Sequence, residues 1–220
     1  MTNDSEADIV AALQKSTVAS VSDAIDDITG QRGFMRADMR PLFKTKLVGP
    51  AATVQLRSAL RTPATGQINF GLQVLDEAVP GSVLVYVLED GLEVAGIGEL
   101  MATTAQVRGI AGAVIDGGAR DVDEITRLGF PVFARSISPA SIIGRHISVA
   151  GQVPVVCAGI AVRPGDYIMG DMDGVVVVPR ERAMAIATLA LEFDAKEIKM
   201  RETIRETGSI RKAMEKFGRY

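Results

Sequence analysis

The sequence predicts an α/β domain built on a mixed sheet. Three observations carry this expectation. Apolar runs of strand length alternate with segments of helical spacing through the middle of the chain. Short strands joined by tight turns follow, at Arg163-Pro164-Gly165-Asp166 and Asp171-Met172-Asp173-Gly174. From about residue 180 to 217 the chain is charged and helical.

The elements run in the following order. Residues 7–13 have the pattern of a short amphipathic helix. Ser20 or Ser22 is placed to cap a second helix, through Ala24, Ile25 and Ile28, which Gly30 ends. Residues 34–56 alternate around Pro41 and Gly49-Pro50, which predicts short strands and turns, with a buried strand at 51–56. Helical spacing at Ile68, Leu72, Leu75 and Val79 stops at Pro80-Gly81, and 82–88 is a strong strand. A glycine-rich loop leads to a helix from about 99 to 107, a strand at 112–115, a helix at 122–128 and a strand at 131–134. Further strands are expected within 147–162 and at 166–169 and 174–178. No linker-like shift in composition divides the chain, so residues 1–220 read as one domain.

Bulk properties exclude several functions. A net charge of −3 without a basic block argues against a nucleic-acid partner. The acidic N-terminus lacks the apolar run of a secretory signal, and no stretch approaches the roughly 20 apolar residues of a membrane span. The single cysteine, Cys157, allows no internal disulfide. A cytoplasmic protein without membrane contact is expected.

The chemistry concentrates between Gly98 and Asp121. There a helix start, a strand and an Asp116-Gly117-Gly118 turn lead to Arg120-Asp121, and twenty residues separate Glu99 from Arg120. A helix N-terminus presents unpaired amides and positive potential. Gly98 admits close approach, so the amides near Glu99, Leu100 and Met101 can receive a carboxylate. Arg120 adds a planar fork for carboxylate or enolate oxygens. Asp121 is a hard oxygen ligand suited to Mg²⁺, and Glu99 can hold water or move a proton. The plainer interpretation is a dipole-compensating glutamate, a surface ion pair and an ordinary turn.

The residues Gly98-Glu99-Leu100-Met101-Ala102, then Gly109-x-x-Gly112-x-Val114-Ile115-Asp116-Gly117-x-x-Arg120-Asp121, resemble the RraA-like proteins and 4-hydroxy-4-methyl-2-oxoglutarate aldolases. The resemblance continues through Gly129-Phe130-Pro131-Val132-Phe133-Ala134-Arg135, Val162-Arg163-Pro164-Gly165-Asp166 and Asp173-Gly174-Val175-Val176-Val177-Val178-Pro179. It covers most of the chain from about Thr17. It implies a single compact α/β/α swivelling-domain-like fold, assembled as a homotrimer or hexamer with sites between subunits.

Within that family, metal-dependent aldolases that also decarboxylate oxaloacetate carry an acidic residue, twenty intervening residues and Arg-Asp. A second branch binds and inhibits a ribonuclease and lacks the complete metal motif. This chain keeps Arg120 and Asp121 but has Glu99 where the aldolase pattern has Asp. The retained pair favours the enzyme branch, with the ribonuclease regulator as the alternative.

The implied substrate is a 2-oxo acid cleaved to pyruvate. Asp121 would hold Mg²⁺ or Mn²⁺, with Glu99 reaching it through a water. The Leu100 and Met101 amides would bind the C1 carboxylate, and Arg120 would stabilise the enolate. An acidic residue of an adjacent subunit's C-terminal helix is also implied near the metal, and Glu197 is the candidate among Glu192, Asp194 and Glu197. Lyase or hydratase chemistry on a sugar-derived acid would use the same parts.

Other chemistries fit less well. A Schiff-base aldolase needs a desolvated lysine, and the glycine-rich centre has none; the lysines are Lys15, Lys44, Lys46 and four from Lys196 onward. One His and one Cys are too few for a zinc site. His146 is expected in a loop with a structural or solvent role, and Cys157, Met101 and Met169 in packing. Asp171-x-Asp173-Gly174 reads as a turn rather than a calcium loop. Residues 57–65 or 136–146 are candidates for recognising the far end of a substrate.

Overall fold

The computed structural model describes residues 5–59 and 69–218. Two helices open it, α1 (Glu6–Lys15) and α2 (Val18–Thr29). Thr17 caps α2 by accepting the Ser20 amide at 3.1 Å, so the expected cap at Ser20 or Ser22 is corrected. Ser20 lies in the first turn, where its hydroxyl donates to Asp194 at 2.7 Å. Gly30 ends the helix in the left-handed conformation (φ 66°), as expected.

The strands are β1 (Arg40–Pro41), β2 (Leu47–Ser58), β3 (Val83–Leu88), β4 (Ala95–Ile97), β5 (Gly112–Ala119) and β6 (Val132–Ile137), then β7 (His146–Gly151), β8 (Val155–Cys157), β9 (Ile160–Val162), β10 (Tyr167–Asp171) and β11 (Gly174–Val178). β2 is longer than expected because its two halves serve different neighbours. Leu47 to Pro50 pair antiparallel with β10, and Ala51 to Leu56 pair parallel with β3. Between strands lie α3 (Phe70–Glu77), α4 (Glu99–Val107) and α5 (Val122–Leu128). Asn69 caps α3 through the Leu72 amide at 3.2 Å; Ile68 lies outside the described residues.

Two expectations near the candidate site are corrected. The glycine-rich segment before α4 contains a strand, β4, and Asp116-Gly117-Gly118 is not a turn but part of β5. The missing side chains are what allow this. A Cβ on Gly118 would lie 2.8 Å from the Val94 carbonyl, so only glycine lets the β4 segment run this close.

The C-terminal segment is also not one helix. A 3₁₀ turn (Arg180–Arg182) precedes α6 (Ala183–Thr207), and Gly208 at φ 64° separates it from α7 (Ile210–Phe217). No described helix is long and apolar enough to cross a membrane.

The main sheet runs β1-β6-β5-β3-β2-β10-β11, with β4 added to β5 and β7 to β2; β8 and β9 form a separate hairpin. β6, β5, β3 and β2 are mutually parallel, and β1, β7, β10 and β11 join antiparallel. The sheet curls until its ends nearly meet. Arg40 donates to the Asp173 carbonyl at 2.8 Å, and the Met35 amide donates to the Val175 carbonyl at 2.9 Å.

Strand alternation then divides the apolar residues. Val83, Val85, Val87, Val114, Phe133, Ile168, Val175 and Val177 face a core enclosed by the curl. Leu84, Tyr86, Leu88, Ala113 and Ile115 face outward under α3, α4 and α5. Tyr167, Met169, Val176 and Val178 face outward under α1, α2 and α6. The mixed sheet with helices on two outer sides is the α/β fold expected.

One polar network crosses the enclosed core. Arg135 on β6 donates to Asp116 on β5 at 2.9 Å and to Asp38 at 2.7 Å. The second Asp116 oxygen accepts the Ala158 amide at 2.6 Å, which ties down the β8–β9 turn. The hydrogen bond from Arg135 holds the Asp38 carboxyl below the usual carboxylate range. Both partners of the Arg135–Asp116 pair are largely shielded, at 15% and 12% side-chain exposure. Arg135→Leu leaves Asp116 charged and half-satisfied, and is expected to lower unfolding free energy by about 3 kcal/mol in urea titrations at neutral pH. A loss below about 1 kcal/mol would remove the network from the fold's support.

Candidate active site

The residues singled out between Gly98 and Asp121 meet at one edge of the sheet. β4 and β5 run side by side, with Ala95 opposite Gly118 and Ile97 opposite Ala119. The Arg120 amide extends that pairing by donating to the Ile97 carbonyl at 3.1 Å. Gly98 therefore emerges beside Arg120 and Asp121, although the chain between them forms a helix and a strand.

Asp121 holds the arrangement together. Its Oδ2 accepts the backbone amide of Glu99, the first residue of α4, at 3.0 Å. Arg120 Nε lies 3.6 Å from the same oxygen. Asp121 stands at the N-cap of α5, yet its side chain makes no capping bond there and instead caps α4. Its backbone is left-handed (φ 55°, ψ 42°), a conformation that Asp tolerates better than most side chains. Strain at such a position commonly accompanies a functional constraint.

Gly98 is required for space. Its φ of −140° is open to any residue, but a Cβ would sit 2.6 Å from Asp121 Oδ2 and 3.0 Å from Arg120 Nε. The side chains of Arg120 and Asp121 are 42% and 39% exposed, so both are open to a ligand. Glu99 is half-buried, and Thr103 donates to its Oε1 at 3.2 Å. Thr103 was not anticipated, although its spacing of four residues from Glu99 places both on one helix face. The amides of Leu100 and Met101 belong to the same first turn, which has no intrahelical acceptors for them. Leu100 projects its side chain into solvent, and Met101 packs partly against the core under α4.

The remaining candidates lie elsewhere. Within this chain Glu197 does not join Glu99, Arg120 and Asp121. It is carried by α6, near enough to Asp23 of α2 to help raise that carboxyl, behind burial and Asp26, and on the other side of the sheet from α4. His146 is not in a loop but opens β7, and is buried. Cys157 is fully buried, which pushes its thiol up, and Met169 is core. The Asp171 carboxylate accepts the Asp173 amide at 2.8 Å, as in a turn. Among the described residues, Lys46 is the lysine whose burial lowers its pKa, but its amine donates to the Gln14 and Ser16 carbonyls at the C-terminal end of α1, at 2.7 and 2.5 Å. That is a helix-end clamp, remote from any nucleophilic role at Arg120.

Among the described residues, no three His, Cys, Asp or Glu side chains converge on a common metal position. The donor set at Asp121 suits a different arrangement. Oδ2 is used by the Glu99 amide, and Oδ1 accepts no hydrogen bond among the described residues. One half-exposed carboxylate fits a hydrated Mg²⁺, which keeps several waters and takes one or two protein carboxylates.

Comparison with known proteins identifies the family. The RraA-like family model, described as Aldolase/RraA, matches residues 18–177, and the chain belongs to that family. A Halalkalibacterium halodurans protein provisionally named 4-hydroxy-4-methyl-2-oxoglutarate aldolase is 33% identical over 177 residues, covering 80% of this chain and 78% of its own. An uncharacterised Pseudomonas syringae protein of known structure superposes with a TM-score of 0.87 at 28% identity, covering 99% of this chain and 97% of its own. Streptomyces coelicolor RraAS2, described as an unusual member of the RNase ES inhibitor RraA family, superposes at 0.78 with 27% identity, over 91% and 99% of the two chains. The relatives' names support an aldolase role at family level.

Gly98→Ala tests the close approach. The added methyl displaces two half-exposed side chains rather than backbone, so unfolding free energy should change by no more than about 1 kcal/mol. The Glu99 amide should lose its acceptor and exchange faster with solvent, as read by amide NMR. An unchanged Glu99 signal would show that the carboxylate does not depend on the space at Gly98.

Proposed function

We propose that this protein is a divalent-metal-dependent carbon–carbon lyase. It cleaves 4-hydroxy-4-methyl-2-oxoglutarate-type 2-oxo acids to pyruvate and decarboxylates oxaloacetate. The observation that carries the proposal is the Asp121 carboxylate on the first amide of α4 with Arg120 beside it. One patch thus combines a hard anionic ligand, a guanidinium and helix amides.

Asp121 is the residue to hold Mg²⁺ or Mn²⁺, with Glu99 as a water-mediated outer partner and Glu197 of an adjacent subunit as a further candidate. When bound, the metal supplies Lewis-acid polarisation of the 2-oxo group. The chain's own residues do the rest. The Leu100 and Met101 amides, at the positive end of α4, orient the C1 carboxylate. Arg120 faces the position where enolate charge grows as the C3–C4 bond breaks, and stabilises that charge more than the ground state. Glu99, steadied by Thr103, is the group to accept the C4 hydroxyl proton through a water. For oxaloacetate the same enolate forms with loss of carbon dioxide and without that proton transfer. A homotrimer or hexamer with sites at subunit contacts, in the cytoplasm, completes the proposal.

The second reading is a regulator that binds a ribonuclease, favoured by the structural likeness to RraAS2. Asp121 and Arg120 argue for the enzyme.

Chelator treatment should abolish pyruvate release from both substrates and Mg²⁺ should restore it; full activity in metal-free buffer would sink the metal assignment. Arg120→Ala is expected to lower kcat by about 10²–10³ with folding intact. Asp121→Ala should lose activity and Mg²⁺ dependence together, so near-normal turnover by either variant would dismiss its residue from the mechanism. No activity on either substrate, with tight binding to a ribonuclease, would favour the regulator.

A further inference from the structure

A cleft of about 610 Å³ opens where the C-terminal end of α2, β9, β11 and the 3₁₀ turn before α6 come together. None of Gly98, Glu99, Arg120 or Asp121 lines it. Three arginines from separate segments contribute to its walls: Arg32 after α2, Arg163 after β9 and Arg182 in the 3₁₀ turn. Asp166 brings two of these segments together. It is 7% exposed, and its carboxylate accepts the Arg163 amide at 2.8 Å through Oδ2 and the Arg180 amide at 3.2 Å through Oδ1. Both oxygens of this acid are thus engaged by the backbone, and both segments are held at the cleft.

The guanidinium groups keep most of their donors. Arg32 donates through Nε to the Phe34 carbonyl at 2.9 Å, and its guanidinium lies 4.3 Å from the centre of the Phe34 ring. These contacts steady the fork and leave its two terminal nitrogens without a partner among the described residues. Arg163 lies 3.8 Å from Glu181, beyond hydrogen-bonding distance, and both side chains are mostly exposed. Such a pair contributes little in water. The Arg182 side chain makes no hydrogen bond or ion pair among the described residues.

Opposing charge at the cleft is limited. Among the described lining residues the carboxylates are Asp166 and Glu181, and only Glu181 has oxygens that no backbone amide holds. The end of α2 spends carbonyls on its own last turn. Thr29 donates to the Ile25 carbonyl at 2.7 Å, and the Gly30 amide donates to the Asp26 carbonyl at 2.8 Å. Three cations therefore share the cleft with one competing carboxylate. Planar guanidinium forks match phosphate oxygens, and each can give two parallel hydrogen bonds. Ile25, Ile28, Ile160 and Val177 add an apolar wall. The volume is that of a small-molecule site and exceeds what an inorganic ion fills.

We infer that this cleft is a second binding site, for a small organic phosphate. Arg32, Arg163 and Arg182 hold the charged group, and the body of the ligand lies against the apolar wall. The site goes beyond the lyase reading and stands whether or not that reaction occurs.

Calorimetric titration of the intact protein in metal-free buffer, with adenosine monophosphate, inorganic pyrophosphate and adenosine, tests the assignment. Both phosphates should bind saturably and adenosine should not. Arg163→Ala and Arg182→Ala shorten exposed side chains, and each should weaken adenosine monophosphate binding about 10-fold. Arg182→Lys keeps the charge without the fork and should lose less. Glu181→Gln removes the competing carboxylate and should tighten binding, and Arg120→Ala should bind as the wild type does. No binding of either phosphate would overturn the proposal. Binding that Arg120→Ala loses, and that Arg163→Ala and Arg182→Ala keep, would overturn it by assigning the anion to the candidate active site. Binding of pyrophosphate without adenosine monophosphate would overturn the role of the apolar wall and leave a site for inorganic anions.

Discussion

The path of β5 is the constraint on which the rest of the structure depends. This strand pairs with β3 and β6 along its length and takes β4 at its far end. Glycine at 117 and 118 makes the last part possible. A Cβ at either position would meet the backbone carbonyl of Gly91 or Val94, at 3.1 and 2.8 Å. With those side chains absent, the β4 segment crosses close to β5, and Gly98 is delivered to Arg120 and Asp121. The chemistry at this edge follows from a packing condition two residues earlier.

The same strand also braces the opposite side of the sheet. Asp116 points to the enclosed core, where it pairs with Arg135 and accepts the Ala158 amide. Four residues later Arg120 stands in the half-exposed patch. β5 thus carries one charged group that fixes the curl of the sheet and leads directly into two that are open to a ligand. A charge buried with its partners costs solvation but gains definite geometry. A charge left half-exposed keeps its capacity to bind. The two fates are decided by which face of the strand, and which end, each residue occupies.

Much of the fold was legible because its signals are local. The alternation of apolar residues in 82–88 and the punctuation by Pro80-Gly81 and Gly30 mark elements without reference to the rest of the chain. The α4 and α5 boundaries followed from the same kind of reasoning. β4 was not legible, because Ala95, Gly96 and Ile97 have strand geometry only by virtue of β5 beside them. Asp116-Gly117-Gly118 carries a turn composition, and tertiary pairing overrides that preference. The N-cap of α2 moved to Thr17 because Ser20 is drawn to Asp194, a partner distant in sequence.

By itself, the sequence determined the α/β class, the family and the identity of Gly98, Glu99, Arg120 and Asp121 as candidates, since each depends on residue type and spacing. Only the tertiary structure decided how they meet. Asp121 caps a helix that is not its own, Thr103 steadies Glu99, and Gly98 serves by the space it leaves rather than by its backbone freedom. Residue types set what each group can do. Contacts between distant segments set which groups are satisfied, and therefore which remain available for function.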